Sequence, residues 1–251
     1  MSVLAEKRVV VTRAVEQADE LGARLEAAGA VVVRCPTIVI APAASHEEMD
    51  AALGRLGAYD WLVVTSANGV RFLFDRAATL GLGPALAAVR VAAVGRVTAN
   101  ALAARGATAA FTPDEESAEA LGRSLPDLEG RSVLLVQGAK SDPALARMLA
   151  ERGAAVTSLA AYRTIPVAPS GEYLMELRKG ADALTFTSPS TVEGFVALGP
   201  EWRSLARRAV VATIGPTTTT AALSLGLGVH AEARERSMAA LVEALESVWG
   251  R

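Results

Sequence analysis

Hydroxyl, glycine and basic residues recur directly after short apolar runs in this 251-residue sequence. Six segments share the pattern: 12–13 (TR), 65–68 (TSAN), 95–98 (GRVT), 137–140 (QGAK), 187–190 (TSPS) and 215–218 (GPTT). Glycine allows the backbone to approach an anionic group, and a helix N-terminus carries about half a positive charge. The pattern therefore suits a ligand with several carboxylates or phosphates. Its candidate binding residues are Arg13, Ser66, Ala67, Asn68, Gly95, Arg96, Thr98, Gly138, Ser188, Ser190, Gly215, Thr217 and Thr218.

These segments also have a purely structural interpretation, because Ser, Thr and Asn before a helix are ordinary N-caps. A single turn favours capping, whereas six turns repeated along the chain leave capping and ligand binding both open. Arg13 directly follows an apolar run, where a guanidinium can bind a carboxylate through two parallel hydrogen bonds. The alternative for Arg13 is a solvated surface position.

One tyrosine is a candidate proton donor. Tyr162 lies in AAYRTIPVAPS, between an apolar run and a proline-bearing stretch of the kind that connects domains. Its phenol could donate a proton in a cleft, or its ring could simply pack.

The sequence indicates neither a metal site nor a nucleophilic triad. Cys35 lies in the apolar segment AVVVRCPTIVIAP, which predicts a buried thiol. His46 and His230 lack metal-ligand spacing and are expected at the surface. The acidic run 114–116 is interpreted as the solvated start of a helix. Because neither GxGxxG nor GxxxxGK[ST] follows an apolar run, we expect no nucleotide cofactor, and the histidines and the cysteine give no support for a zinc site.

Composition excludes several classes of protein. Apolar residues make up 51% and charged residues 21%, with a net charge of −2, which argues against a disordered chain or a general nucleic-acid binder. No apolar run approaches the roughly 20 residues of a membrane span, and the first residues lack a signal-peptide pattern. We therefore expect a cytoplasmic protein that binds neither nucleic acid nor membrane.

The elements that must position these residues alternate along the chain. Continuous apolar runs predict buried strands at 8–12, 30–35, 61–66, 90–95, 132–138, 183–188 and 210–215, with weaker ones near Phe111 and at 155–161. Segments of helical period lie between them, which predicts a doubly wound α/β architecture.

An internal repeat divides the chain. Residues 63–73 resemble 185–195, 116–121 resemble 236–241, and 8–33 resemble 132–157 more weakly. The pairings alone suggest two copies, 8–125 and 131–246. We expect two similar parallel-sheet domains, of flavodoxin-like or Rossmann-like type, with a cleft between them.

The order of the motifs resembles the uroporphyrinogen-III synthase family over essentially the whole chain. The resemblance rests on VTRAVEQADELGARLEAAGAVVVRCPTIVIAP, DWLVVTSANGV, VAAVGRVTANAL, AAYRT, LTFTSPSTVEGF and TIGPTTTTAA. It implies an enzyme that closes linear hydroxymethylbilane, a polycarboxylate, to uroporphyrinogen III with loss of water and inversion of ring D. It also implies no cofactor, a monomer, and a substrate that could be handed over by the preceding pathway enzyme.

The resemblance also implies domain boundaries and residue roles. One domain would comprise 1–35 plus 168–251 and the other 39–162, joined by extended linkers at about 36–42 and 163–167. Tyr162 matches the tyrosine that assists departure of the substrate hydroxyl, while Arg13, the two TS motifs and the threonines after Gly95 and Gly215 match binding residues. Gln137 departs from the arginine common in the family, and Lys140 could replace that basic contact.

Two other functions remain open on the sequence. One is a two-domain binding or regulatory protein that closes on a polyanionic small molecule without catalysis. The other is a different α/β transferase, which the missing phosphate fingerprint and general base make weaker.

Overall fold

A computed structural model describes residues 2–250, which form an alternating α/β chain. The strands are β1 (Arg8–Val11), β2 (Val31–Arg34), β3 (Ile38–Pro42), β4 (Trp61–Val64), β5 (Val91–Ala93), β6 (Ala109–Phe111), β7 (Ser132–Gly138), β8 (Ala155–Pro166), β9 (Ala183–Phe186), β10 (Val210–Thr213) and β11 (Ala231–Glu232). The α-helices are α1 (Ala18–Ala27), α2 (Glu47–Leu53), α3 (Ala67–Thr79), α4 (Gly83–Ala87), α5 (Arg96–Ala103), α6 (Ala118–Ser124), α7 (Ala144–Glu151), α8 (Gly171–Arg178), α9 (Pro189–Ala197), α10 (Pro200–Ala206), α11 (Pro216–Ser224) and α12 (Met238–Trp249).

The described residues form two compact units. Unit 1 contains the residues up to Val39 and those from Ile165 onwards, and unit 2 is Ile40–Thr164. The units cut across the division into 8–125 and 131–246 that the repeat alone suggests. The chain passes from one unit to the other inside β3 and inside β8, so the segments expected as linkers contain strand residues.

Unit 1 is built on a sheet of order β11-β10-β9-β1-β2, whose pairs all run parallel. Val10 and Leu184 point to one face, which packs with Phe195 of α9. Val9 points to the other face, which packs with Leu241 of α12. Because helices cover both faces, the strands are apolar on both sides, which explains their continuous apolar sequence.

Unit 2 contains a sheet of order β3-β8-β7-β4-β5-β6. The pairs β4–β5, β4–β7, β5–β6 and β7–β8 run parallel. Leu62 and Leu134 pack with Leu73 of α3 on one face. Trp61 packs with Leu145 of α7 on the other face. The predicted doubly wound α/β class is confirmed for both units.

The two units repeat the same strand layout. Trp61 of β4 pairs with Val133 of β7, and Ala183 of β9 pairs with Val9 of β1. In spatial order, β6-β5-β4-β7-β8 of unit 2 thus corresponds to β11-β10-β9-β1-β2 of unit 1. The chain order differs, because unit 1 takes its last two strands from the beginning of the chain. A repeat of this permuted kind cannot be divided into sequential halves.

The predicted strands that precede the candidate turns all form, but most are shorter than expected. The hydroxyl and glycine residues at 12, 65–66, 95 and 215 lie beyond the last paired residue of their strands. The weak strand predicted at 155–161 extends to Pro166 as β8, and the expected linker 36–42 contains β3. Within residues 2–250, no helix combines the length and apolarity that a bilayer crossing requires.

Candidate functional site

Tyr162 lies within β8 of unit 2, beside the carboxyl ends of β7 and β4. Its phenol oxygen accepts a hydrogen bond of 3.1 Å from the hydroxyl of Ser66, which follows β4. Ser66 is also the N-cap of α3 and accepts a 3.0 Å hydrogen bond from the N–H of Gly69. One hydroxyl therefore both caps the helix and orients the phenol.

The ring of Tyr162 rests on backbone. A Cβ atom at Gly138 would lie 3.0 Å from Cζ of Tyr162, so a side chain at residue 138 would push the ring away. Phe72 of α3 stacks on the ring with centroids 6.1 Å apart and planes 15° apart. The N–H of Ala139 donates to the Tyr162 carbonyl at 2.8 Å. The half-buried phenol is thus held in one orientation at a strand end.

The predicted residues Ala67 and Asn68 are the first two residues of α3, immediately after Ser66. Their backbone amides belong to the N-terminal turn of a 13-residue helix, where the helix dipole favours negative charge. The structure therefore brings Ser66, Gly138 and Tyr162 together, and Ala67 and Asn68 directly follow Ser66 in the first turn of α3.

The second predicted turn of unit 2 carries an internal carboxylate. Gly95 is the N-cap of α5, and Thr98 is buried in its first turn. Arg96 is exposed, and its Nε donates to Oε1 of Glu116 at 2.5 Å. A Cβ atom at Gly95 would lie only 2.6 Å from Oε2 of Glu116. Glu116, interpreted from sequence as solvated charge, is exposed but pairs with the arginine of the glycine turn.

Arg13 follows β1 in unit 1 and is largely buried. Its Nη1 lies 3.0 Å from the sulfur of Met238, and its Nε is buried without a hydrogen-bond partner. Among residues 2–250, no carboxylate lies within ion-pair distance of Arg13. Burial lowers the pKa of the guanidinium, and the attraction of Glu20 partly opposes that shift. A solvated surface position, the alternative expected from sequence, does not describe Arg13.

Buried threonines hold the strand ends around Arg13. The hydroxyl of Thr12 donates to the carbonyl of Thr185 at 2.8 Å, and that of Thr185 donates to Val10 at 2.7 Å. Thr37 lies within 3.1 Å of the carbonyls of Thr12 and Thr191. These hydroxyls satisfy backbone carbonyls and are structural.

Ser188 and Ser190 lie at the end of β9. Ser188 caps α9 in a capping box with Thr191, whose N–H lies 3.3 Å from the Ser188 hydroxyl. The hydroxyls of Ser188 and Ser190 lie 3.1 Å apart. Both residues are half-buried, and of the two hydroxyls that of Ser188 forms the cap.

The glycine turn of unit 1 opens α11. Gly215 is the N-cap, and its carbonyl accepts from the N–H of Thr218 at 3.0 Å. Thr217 is exposed and Thr218 is buried, the same pattern as Val97 and Thr98 in unit 2. The third helical residue, Thr98 in α5 and Thr218 in α11, is therefore a buried threonine in both units.

A model of uroporphyrinogen-III synthase HemD matches residues 19–243. A Synechococcus elongatus protein named uroporphyrinogen-III synthase is 32% identical over 98% of this chain and 96% of its own length. The uroporphyrinogen-III synthase of Chlorobaculum parvum is 31% identical over 89% of this chain and 91% of its own. This chain belongs to the uroporphyrinogen-III synthase family.

Solved structures of proteins named uroporphyrinogen-III synthase share the fold of this family member. The Helicobacter pylori protein aligns with a TM-score of 0.70 at 17% identity over 97% of this chain and 99% of its own. A Thermus thermophilus mutant aligns with a TM-score of 0.65 at 24% identity over 97% and 99%. At these identities the likeness shows the two-sheet fold alone.

Several site residues of this synthase family member were not found from sequence. Phe72 lies beside Tyr162, Glu116 beside Gly95, and Arg236 beside Gly215. These contacts join residues that are distant in sequence, so no local sequence motif predicts them. The internal repeat is the signal that could have found two of them, because Glu116 and Arg236 stand at equivalent places of ESAEAL and RSMAAL. Lys140, which could replace a basic residue at Gln137, is exposed.

The predicted inert groups can also be placed. Cys35 is fully buried, as expected, and burial raises the pKa of its thiol to about 12. His46 and His230 are exposed, and Nδ1 of His230 accepts from the N–H of Val211 at 3.1 Å. Over residues 2–250, no group of three or more His, Cys, Asp or Glu side chains is arranged to hold a metal ion.

Proposed function

We propose that this chain converts hydroxymethylbilane to uroporphyrinogen III, with loss of water and inversion of ring D. The observation that carries the proposal is the family match over residues 19–243. The strand-end donors support it, because the substrate is a flexible polycarboxylate that must be folded into one reactive geometry. Membership of an enzyme family of tetrapyrrole biosynthesis favours catalysis over the alternative of a binding protein without chemistry.

Tyr162 is the proposed proton donor. In the first step the C–O bond of the terminal hydroxymethyl group breaks, and the phenol proton passes to the departing oxygen, which leaves as water. The pyrrole nitrogen of the same ring supplies the electron pair, so no oxidant or reductant is needed. The hydroxyl of Ser66, 3.1 Å from the phenol oxygen, donates to the phenolate that remains.

Binding is proposed to use both units. Neutral donors at the α3 and α9 N-termini and the Gly95 and Gly215 turns would hold substrate carboxylates, with Arg13 as a charged anchor. The proposed binding residues are Arg13, Ser66, Ala67, Asn68, Gly95, Arg96, Thr98, Gly138, Ser188, Ser190, Gly215, Thr217 and Thr218. Buried Thr98 would act through its backbone amide rather than its hydroxyl, whereas the amide of Thr218 already donates to the carbonyl of Gly215.

The deciding experiment supplies freshly generated hydroxymethylbilane and separates the uroporphyrinogen isomers by liquid chromatography. We expect isomer III to predominate and to form faster than uncatalysed cyclisation. Heat-denatured protein is the control. Formation of isomer I alone, at the uncatalysed rate, would contradict the proposal; tight substrate binding without acceleration would instead favour the binding-protein alternative.

The finer properties implied by the family are proposals with tests of their own. We propose domains at 1–35 plus 168–251 and at 39–162 with hinges near 36–42 and 163–167, for which limited proteolysis should cut in the hinges. We propose a cytoplasmic monomer, for which light scattering should give the mass of one 25.9 kDa chain. Handover from the preceding enzyme predicts a shorter lag before uroporphyrinogen III appears than free diffusion of hydroxymethylbilane between the two enzymes allows.

A further inference from the structure

The loops that lead into α6 and α12 are built alike. Ser117 and Ser237 cap these helices by accepting hydrogen bonds of 3.0 and 3.1 Å from the N–H of the third helical residue. Each capping hydroxyl also contacts the glutamate two residues earlier, Glu115 at 3.4 Å and Glu235 at 3.0 Å. The one residue between glutamate and serine therefore occupies the same place in both units.

The residues at that shared place carry opposite charges. In unit 2 it is Glu116, whose carboxylate lies against Gly95 and pairs with Arg96. In unit 1 it is Arg236, whose Cγ would lie 3.6 Å from a Cβ atom on Gly215. Each glycine turn is thus flanked by the equivalent residue of its own unit, an acid in one and a base in the other.

Glu116 places a carboxylate where unit 2 would receive one from a ligand. A ligand carboxylate that approaches the Gly95 turn must displace Glu116 and break its ion pair with Arg96. The pair is a surface pair, since the side chain of Arg96 is 85% exposed. Breaking this exposed ion pair costs little free energy, but that cost weakens the binding of a ligand carboxylate at the Gly95 turn.

Arg236 does the opposite for unit 1. It is exposed, and within residues 2–250 no carboxylate lies within ion-pair distance of it. Its charge adds to the positive end of the nine-residue helix α11. Arg13 of the same unit also lacks a carboxylate partner, and its guanidinium contacts Met238, two residues beyond Arg236. Among residues 2–250, two guanidinium groups of unit 1 therefore have no carboxylate within ion-pair distance. That of Arg236 lies beside the N-terminus of α11, and that of Arg13 lies beside the N-terminus of α12.

We propose that Arg236 determines where the substrate is anchored, by binding a substrate carboxylate at the Gly215 turn, while Glu116 keeps the Gly95 turn the weaker anion site. The inference rests on the proposed function for its substrate, and it adds a binding residue and an order of strength to that site. It places the most tightly bound carboxylate of the substrate at the Gly215 turn of unit 1.

The test compares Arg236→Ala with Arg234→Ala, which removes an equal charge from the same exposed loop. We expect Arg236→Ala to raise KM for hydroxymethylbilane about fivefold, with kcat unchanged, as loss of an exposed charged contact predicts. Arg236→Lys should restore most of the affinity, and Arg234→Ala should have little effect. The KM difference should shrink in about 0.5 M NaCl, because exposed charges are screened there.

A second pair of variants tests the acid. Glu116→Gln should lower KM about twofold to threefold, whereas Asp114→Asn, an equal charge change in the same run, should not. Equal KM values for Arg236→Ala and Arg234→Ala would overturn the inference, as would a higher KM in Glu116→Gln.

A binding measurement separates this inference from the proposed function. Uroporphyrin III, an unreactive polycarboxylate, can be titrated calorimetrically into the same variants. If the wild-type chain fails to make uroporphyrinogen III, the proposed function fails, yet weaker uroporphyrin binding by Arg236→Ala than by Arg234→Ala would still support the anchor. Equal binding by these two variants would contradict it.

Discussion

The two units share a scaffold and differ in the chemistry at their strand ends. Ser66 after β4 and Ser188 after β9 are the N-caps of α3 and α9. Gly95 and Gly215 are the N-caps of α5 and α11, the helices that follow β5 and β10. The backbone donors are thus duplicated. The charged and aromatic side chains are not, and they account for the difference between the units.

Three places distinguish unit 2 from unit 1. The strand register sets Gln137 where unit 1 has Arg13, and the matched loops set Glu116 where unit 1 has Arg236. The third place is β8, which runs for 12 residues and carries Tyr162, whereas its counterpart β2 ends at Arg34. Unit 1 therefore has arginines at the two positions where unit 2 has Gln137 and Glu116, and unit 2 has the phenol of Tyr162 at its strand ends.

The largest expected effect comes from removing the phenol of Tyr162 at the strand ends of unit 2. Tyr162→Phe should lower kcat about 100-fold, the range of a lost general acid, and leave KM nearly unchanged. The ring and its stacking on Phe72 are retained, so thermal unfolding should differ little from that of the wild type. An unchanged kcat in the isomer assay would remove Tyr162 from the mechanism.

The second test replaces Arg13 of unit 1 with glutamine, the residue that unit 2 has at the equivalent position 137. Arg13→Gln should raise KM about tenfold, since a charge-assisted hydrogen bond to substrate is lost. Stability should be unchanged or higher, because the arginine is buried without a carboxylate partner. Gln137→Arg is the reciprocal variant. A loss of stability in Arg13→Gln with unchanged KM would make Arg13 a structural residue.

Much of this contrast follows from the sequence, but its side-chain contacts do not. Continuous apolar runs such as WLVV predict buried strands, and the serines at 66 and 188 predict caps, because both signals are local. The contact of Gly138 with Tyr162 joins residues on two strands whose pairing is irregular at that point. Such a contact depends on register, which a single sequence does not specify.

The contacts of the charged side chains could also not be predicted from the sequence. Glu116 and Arg236 each stand in a polar loop, where charged residues are usually solvated. Their role depends on which glycine turn lies beside them, and that is set by the order of strands in each sheet. Likewise, Arg13 follows a strand as expected, but its lack of a carboxylate partner becomes visible only in three dimensions.

A smaller effect should follow from disturbing the support under the phenol. Gly138→Ala places a Cβ atom 3.0 Å from the Tyr162 ring, so the ring must shift from the Ser66 hydroxyl. We expect kcat to fall about tenfold, since proton transfer is sensitive to geometry. Gly83→Ala is the matched control, because its Cβ meets nothing within 4 Å. Equal kcat values for the two variants would contradict a supporting role for Gly138.

The smallest effect separates capping from substrate binding, the two interpretations of the hydroxyls. Ser188 and Ser237 both cap helices of unit 1, yet only Ser188 is a proposed binding residue. Each Ser→Ala variant should lose about 1 kcal/mol of unfolding free energy, measured by urea denaturation. Ser188→Ala should in addition raise KM about threefold, the cost of one weak hydrogen bond, whereas Ser237→Ala should leave KM unchanged. If the two variants differ neither in stability nor in KM, the hydroxyl of Ser188 is a cap alone, and the donors at this strand end are the backbone amides.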